Sequence, residues 1–322
     1  MYLNHDPFPV IFGRGDEVIK LACLDFFGLG DSPPAMACLI DLIKQQRSDG
    51  AFPSRLNPEM WGMRETVRNA LLLARIGLPV RGVNREGALR FILRHQWSDG
   101  GWYENPAQDL PPEQTWLSSE RSMTWLTADV IALLRQSAMG EGQECRTAIA
   151  LLRETQNRHG GWPSLAGGLE EHQVDTGDPD ATAQITFLMA ELFGEEDPVY
   201  LRGKELFERS LDGCAAEVER GYWIRRRDGR RQELDVYTLT HLLISWWLDP
   251  HCRFQAGYDV GDARVRAMME ALVGIQRTDG GWRPFFAQDS SPVYTLLAVK
   301  ALVLSGMLAQ EDLQSGVERY AA

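Results

Sequence analysis

Long hydrophobic runs are missing from this 322-residue chain: no stretch of about eighteen apolar residues occurs, so nothing in it reads as a membrane span. Cysteine is scarce. The five (Cys23, Cys38, Cys145, Cys214 and Cys252) are odd in number and scattered, which reads as reduced, cytosolic thiols rather than a disulfide framework. Positive charge is also short. With 33 Lys and Arg against 45 Asp and Glu, the net charge is -12, which argues against general nucleic-acid binding, because neutralising phosphates needs a basic face. No charged segment followed by an apolar one stands at residues 1–13, so no signal peptide is expected. Strand-type alternation is nearly absent, and no Pro/Gly/Ser-rich linker divides the chain.

What the chain does have is a repeat. The copies are Gln46-Arg-Ser-Asp-Gly50-Ala-Phe52, Gln96-Trp-Ser-Asp-Gly100-Gly-Trp102, Gln156-Asn-Arg-His-Gly160-Gly-Trp162 and Gln276-Arg-Thr-Asp-Gly280-Gly-Trp282. Their first glycines, at 50, 100, 160 and 280, are spaced by 50, 60 and 120 residues. The last step is twice sixty and predicts a hidden copy near 220, where Ser210-Leu-Asp-Gly213 and Gly221-Tyr-Trp223 stand. A period of this size signals a repeat architecture. Glycine just past a helix permits a left-handed stop. The aromatic is expected to stack near the preceding glutamine and pin one hairpin to the next.

Between these signals the apolar periodicity predicts helices over 14–29, 34–46, 59–76, 83–96, 119–136, 142–156, 179–193, 197–210, 233–248, 262–276, 290–306 and 309–320. Odd-numbered members are the more apolar, as in Asp129-Val-Ile-Ala-Leu-Leu. Even-numbered ones carry more charge, as in Arg146-Thr-Ala-Ile-Ala-Leu-Leu-Arg153. Helices apolar around most of their girth belong inside and amphipathic ones outside. The expectation is an all-α (α/α)6 toroid of six helical hairpins, one barrel domain over residues 1–322.

The glutamine-to-aromatic copies resemble the Gln-Trp repeats of the squalene-hopene cyclase and class II terpene cyclase superfamily, whose relatives include the protein prenyltransferase β subunits. Most class II cyclases pair two helical barrels. A chain long enough for one looks like a single-domain member, similar to the monodomain cyclases that act on prenylated aromatic (meroterpenoid) substrates. The resemblance implies terpenoid biosynthesis without a cofactor or metal: a linear polyprenyl substrate is protonated and cyclises through carbocations.

In that family the acid lies in an Asp-x-Asp-Asp-Thr-Ala motif opening an inner helix. This chain has Asp178-Pro179-Asp180-Ala181-Thr182-Ala183, opening its seventh predicted helix. The resemblance makes Asp180 the proton donor and Asp178 its partner, with Thr182 supporting; Ala181 departs from the pattern. A neighbouring carboxylate raises its partner's pKa and can hold a proton at neutral pH, as alkene protonation requires. Asp178 is equally an N-cap with Pro179 in the first helical turn. Upstream, His172 and Asp175 could return the acid's proton. Arg64, Trp125, Val236 and Val293 stand where Asp180 does in other repeats, and Asp109 and Asp289 are alternative acids.

Carbocations are stabilised by aromatic faces. Trp61, Trp116, Trp125, Phe187, Tyr237 and Tyr294 open the inner helices, with Phe285 and Phe286 just ahead of the last. Arg225, Arg226 and Arg227 head a run of five arginines in seven residues, suited to a substrate carboxylate or diphosphate, or to peripheral contact with an anionic membrane. Two other classes compete. One is a non-catalytic lipid- or protein-binding barrel, favoured by Ala181. The other is a zinc-dependent prenyltransferase relative, for which Asp212-Gly213-Cys214 resembles a ligand pair, although a zinc site needs three ligands and an open position.

Overall fold

The computed structural model describes residues 2–76, 81–107, 121–166, 178–219, 222–225, 231–233, 258–283 and 288–321. Twelve helices lie among these residues. They are α1 (Phe8–Arg14), α2 (Glu17–Phe26), α3 (Pro33–Gln45), α4 (Met63–Ile76), α5 (Arg81–Arg94), α6 (Thr124–Gln136), α7 (Gln143–Thr155), α8 (Pro179–Phe193), α9 (Pro198–Glu219), α10 (Ala263–Gly274), α11 (Pro292–Leu304) and α12 (Gln310–Ala321). The class is all-α. Two short antiparallel ribbons accompany the helices, β1 (Phe52–Pro53) with β2 (Trp61–Gly62) and β3 (Tyr222–Arg225) with β4 (Arg231–Glu233).

These are not the same twelve helices that the periodicity predicts. The predicted 14–29 helix is α2 alone, started by Asp16, whose carboxylate caps the Ile19 N–H at 3.0 Å; α1, which ends before Gly15, has no predicted counterpart. The predicted 233–248 helix falls almost wholly outside the described residues; its first residue, Glu233, ends β4. Among the described residues, the hidden repeat near 220 makes no turn of the other copies' kind. Ser210–Gly213 runs inside α9, and Tyr222 and Trp223 lie in β3. Spacing alone could not show that the missing copy had been absorbed by helix and ribbon.

Two compact units divide the chain: residues 43–207 with 248–251, and residues 1–42, 208–247 and 252–322. In the first, α4 packs on α6 and α6 on α8, while α5 and α7 cover them. Burial follows the sequence: α6 is buried from Thr124 to Leu134 except at Trp125, whereas α7 buries one face through Cys145, Ala148, Leu151 and Leu152. In the second unit α11 is buried from Thr295 to Leu302 and packs against α1, α2 and α10. The outer place beside α11 goes to α1. The predicted partner α12 lies instead on α1, with Tyr320 stacked on Phe12 at 4.5 Å.

The repeat is a hydrogen-bonded joint. Each first glycine has positive φ (96° at Gly50 and Gly100, 95° at Gly160, 87° at Gly280). A Cβ there would meet the next outer segment's backbone, for example 2.1 Å from the Arg202 carbonyl at Gly160. No side chain fits. The glutamine carboxamide donates both to the glycine carbonyl four residues on and to that next segment. Its second acceptor is the carbonyl of Asn84 (2.8 Å) for Gln46, Glu144 (2.8 Å) for Gln96, Val199 (2.8 Å) for Gln156 and His5 (2.9 Å) for Gln276. The indole donates its N–H back into the preceding helix. Trp102, Trp162 and Trp282 bond the carbonyls of Ile92 (2.8 Å), Leu152 (2.6 Å) and Leu272 (2.8 Å), using acceptors that a helix end leaves open.

Candidate functional site

The same joint fixes where each inner helix begins. The aromatic's backbone N–H donates to a threonine hydroxyl in the inner helix: Phe52 to Thr66 (2.9 Å), Trp102 to Thr127 (3.2 Å), Trp162 to Thr182 (3.0 Å) and Trp282 to Thr295 (3.1 Å). Thr182 therefore does in α8 what three other threonines do elsewhere, in a repeat-wide structural role. The register also aligns Arg64, Trp125, Asp180 and Val293 two residues before the threonine, and Gly62, Met123, Asp178 and Ser291 four before it. Among these four helix starts, α8 alone has acids at both places.

Asp178 is built into that start. Its backbone N–H donates to the Trp162 carbonyl at 2.6 Å. One carboxylate oxygen accepts from the Ala181 N–H at 3.0 Å and the other from the Ser164 hydroxyl at 2.6 Å. This is an N-cap, a contact worth typically about 1 kcal/mol. Ser164 in turn accepts from the Thr124 N–H at 3.0 Å, and Met123 bridges Leu165, so the loop carrying it crosses the start of α6. The starts of α6 and α8 are thereby joined. Asp180, of which the backbone alone is described, lies in the first turn of α8, between the cap and Thr182.

One turn further in, the inner helices carry a polar layer that the sequence reading passed over. Gln184, four residues after Asp180 and so on the same helix face, donates to Asp129 of α6 at 2.6 Å. Both are buried, at 6% and 1% exposure. Arg68 of α4 occupies the same layer. Its pKa lies below the ordinary arginine range, chiefly because of burial and then Arg64, against the charges of Glu65 and Asp129. At the mouth of α4, the buried Glu104 carboxylate accepts from the N–H groups of Met63 (2.6 Å), Arg64 (3.2 Å) and Asn105 (2.9 Å). Burial, and then the charge of Glu65, push its carboxyl above the usual range. Glu65, 5% exposed, pairs with Arg64 at 3.3 Å. Arg64, Glu65, Arg68, Asp129 and Gln184 are visible in the sequence as charged and polar residues within predicted inner helices.

The other anticipated site residues fare differently. Trp61 packs edge-on against Phe91 (5.3 Å) of the outer helix α5 and close to His95 (5.0 Å), the residue just after that helix. Phe187 meets Phe207 (5.3 Å) and Tyr200 (6.4 Å) of α9. Both rings fill hairpin interfaces. Trp125 and Tyr294 sit part-exposed in the first turns of α6 and α11. Asp289 is exposed, a poor setting for an acid that must stay protonated. Asp109, Trp116, His172, Asp175, Arg226, Arg227, Tyr237, Phe285 and Phe286 lie outside the described residues, and of Arg225 the backbone places it at the end of β3. Asp212 and Cys214, the zinc hook, are inside α9. Asp212 is held by Arg264 at 2.7 Å, and burial drives the Cys214 thiol far above its usual range, which opposes the thiolate that zinc needs. Among the described residues no group of three or more His, Cys, Asp and Glu could hold a metal.

No protein-family model matches the chain, and no curated protein does. Solved structures do. The type II terpene cyclase MstE from Scytonema is similar at 14% identity, TM-score 0.54, over 90% of this chain and 88% of that one. A variant of that cyclase in complex with geranylgeranyl dihydroxybenzoate, its substrate, is similar at 16% identity, TM-score 0.53, over 91% and 88%. A protein from Actinoplanes is similar at 17% identity, TM-score 0.54, over 89% of both chains. At such identities the likeness establishes a shared all-α fold.

Proposed function

We propose that this chain is a class II, protonation-initiated terpene cyclase acting on a linear polyprenyl substrate, with Asp180 as the acid. The observation that carries the reading is a fold shared over nine-tenths of the chain with a type II terpene cyclase, combined with the only described inner-helix start that has two acids in register. The carboxyl of Asp180 gives its proton to a terminal alkene carbon, and the resulting cation is captured by successive double bonds. Loss of a proton from the last cation ends the sequence, so the reaction is an isomerisation without a cofactor. Asp178, two residues before Asp180, is fixed by Ser164 and the Ala181 N–H and so holds the start of the helix that carries the acid. Trp125 stands at the aligned place on α6, where an aromatic face can stabilise a cation by about 0.5–2 kcal/mol.

A prenylated hydroxybenzoate is the first substrate to try, by likeness to the compound bound to the Scytonema cyclase variant. The arginine run at 225–231 supplies forks for its carboxylate, and for an anionic membrane from which so apolar a molecule would enter. We also take residues 1–322 as one (α/α)6 domain, which a single cooperative unfolding transition would support and two separate ones would oppose. The activity is tested by incubating wild type, Asp180→Asn and Asp178→Asn with linear polyprenyl alcohols, diphosphates and prenylated hydroxybenzoates. Cyclisation by wild type, abolished in Asp180→Asn, is expected. Equal turnover by Asp180→Asn would remove the acid assignment, and tight binding without turnover would favour a lipid-binding barrel.

A further inference from the structure

The starts of α4 and α6 are both tied to the loop after the next repeat's tryptophan, but by different groups. The N–H of Thr124, the first residue of α6, donates to the backbone carbonyl of Ser164 at 3.0 Å, two residues after Trp162. Met63, the first residue of α4, stands at the aligned place. Its N–H donates instead to the side chain of Glu104 at 2.6 Å, two residues after Trp102. A neutral carbonyl closes one start and a titratable carboxyl closes the other. Glu104 also accepts from the N–H groups of Arg64 (3.2 Å) and Asn105 (2.9 Å), and the Asn105 carboxamide donates to the Trp61 carbonyl at 3.0 Å. The same two residues therefore hold both the helix start and the β1–β2 ribbon.

A second carboxylate is buried beside this tie. Glu65, in the first turn of α4, is 5% exposed against 2% for Glu104. Its Oε1 accepts from Arg64 at 3.3 Å, whereas its Oε2 is buried without a hydrogen-bond partner among the described residues. That oxygen fills the place over Gly62 where a Cβ would stand, so the ribbon leaves room for the carboxylate by having glycine there. A buried anionic oxygen without a partner is costly, and a second buried charge beside it raises the cost.

We propose that Glu65 and Glu104 share one proton and form a pH-sensitive latch at the start of α4: with the proton both carboxyls stay packed, and without it Glu65 swings from its place over Gly62 to solvent. Glu104 keeps its place, because three N–H groups already serve its anion, while Glu65 has only the part-exposed Arg64 to follow outward. The proton belongs to the pair rather than to either residue. Burial and the charge of Glu65 both act to retain it on Glu104, against Arg64. The other facing groups are few. Arg68 of α4 interacts with Glu65, with Asp129 of α6 and with Arg55 of the β1–β2 connection. Beside α5, His95 meets Trp61 of the ribbon at 5.0 Å, and in the Glu104 loop Tyr103 turns to Trp97 at 5.0 Å. The latch is independent of the acid assigned to Asp180.

Fluorine NMR of the full chain labelled with fluorotryptophan tests this, with the Trp61 signal assigned by its loss in Trp61→Phe and followed from about pH 5 to about pH 9. The remaining tryptophan signals report that each variant is folded. In wild type the Trp61 signal should move through one titration step, and Glu65→Gln and Glu104→Gln should each abolish it, since a single charge can stay buried. Gly62→Ala, whose methyl takes the place of the Glu65 oxygen, should show the alkaline position already at about pH 5. A Trp61 signal that does not titrate in wild type would overturn the latch. So would a step that survives in both glutamine variants and disappears in His95→Gln, which would assign it to the imidazole.

Discussion

The backbone N–H of Trp162 donates to the hydroxyl of Thr182 at 3.0 Å, and this bond ties the repeat motif to the helix that carries the proposed acid. Because Phe52, Trp102 and Trp282 make the same bond to Thr66, Thr127 and Thr295, one interaction sets the depth at which each of these inner helices starts. Asp178 and Asp180 are in register because of it.

Thr182→Val should destabilise the protein by roughly 1–3 kcal/mol, since it leaves the buried Trp162 N–H without its acceptor, whereas Thr182→Ser should retain most of the stability. Thr127→Val should cost about as much. Urea unfolding of the three variants checks this. If Thr182→Val were harmless to stability yet abolished turnover, its role would be chemical rather than structural.

Gly160 and Gly213 should respond in opposite ways to alanine. At Gly160 the backbone is left-handed and a Cβ would lie 2.1 Å from the Arg202 carbonyl, so Gly160→Ala should cost at least about 1–2 kcal/mol. Gly213 lies inside α9 with nothing within 4 Å of its added Cβ, and Gly213→Ala should stabilise by about 0.5–1 kcal/mol. Thermal melts of the two variants decide it. Equal effects would mean that the degenerate copy near 220 forms the turn after all.

Removing the carboxamide of Gln276 should release the chain start. Gln276 accepts from the N–H groups of Asn4 (3.0 Å) and His5 (3.1 Å) and donates to the His5 carbonyl at 2.9 Å. In Gln276→Ala, amide hydrogen exchange should quicken over residues 4–11 far more than over α6. Uniform acceleration throughout would show that the contact supports global stability instead.

Glu104 predicts a pH dependence with a definite sign. Its folded-state pKa is raised, first by burial and then by Glu65, so the folded protein binds more protons than the unfolded one above the ordinary glutamate range. Its contribution to stability is therefore fully present below the unfolded pKa and is lost as pH rises through the folded value. Wild type should lose stability relative to Glu104→Gln as pH is raised from about 5 to about 8 in urea titrations. A relative gain by wild type would mean that the three backbone N–H bonds dominate and the carboxyl is in fact stabilised as an anion.

Much of this architecture is legible in the linear chain, because period and apolar pattern are properties of local spacing. The boundaries of α8 agree with the predicted 179–193, since Pro179 and the capping Asp178 mark its start unambiguously. Other features depend on partners distant in sequence. Nothing local says that the Trp102 indole bonds Ile92, or that Trp61 is committed to Phe91 and His95. Nor does any local signal assign the place beside α11 to α1 instead of α12.

By itself, the sequence determined the helical class, the repeat joint and the singular acidic start at Asp178 and Asp180, because each is written in residue types at fixed offsets. Only the tertiary structure decided that Thr182 belongs to the repeat, that Asp178 is held by Ser164, and that Asp129 and Gln184 meet in a buried layer one turn below Asp180. Those contacts join residues 14, 20 and 55 positions apart. Their energies come from burial and hydrogen-bond direction, which exist only once the helices have packed.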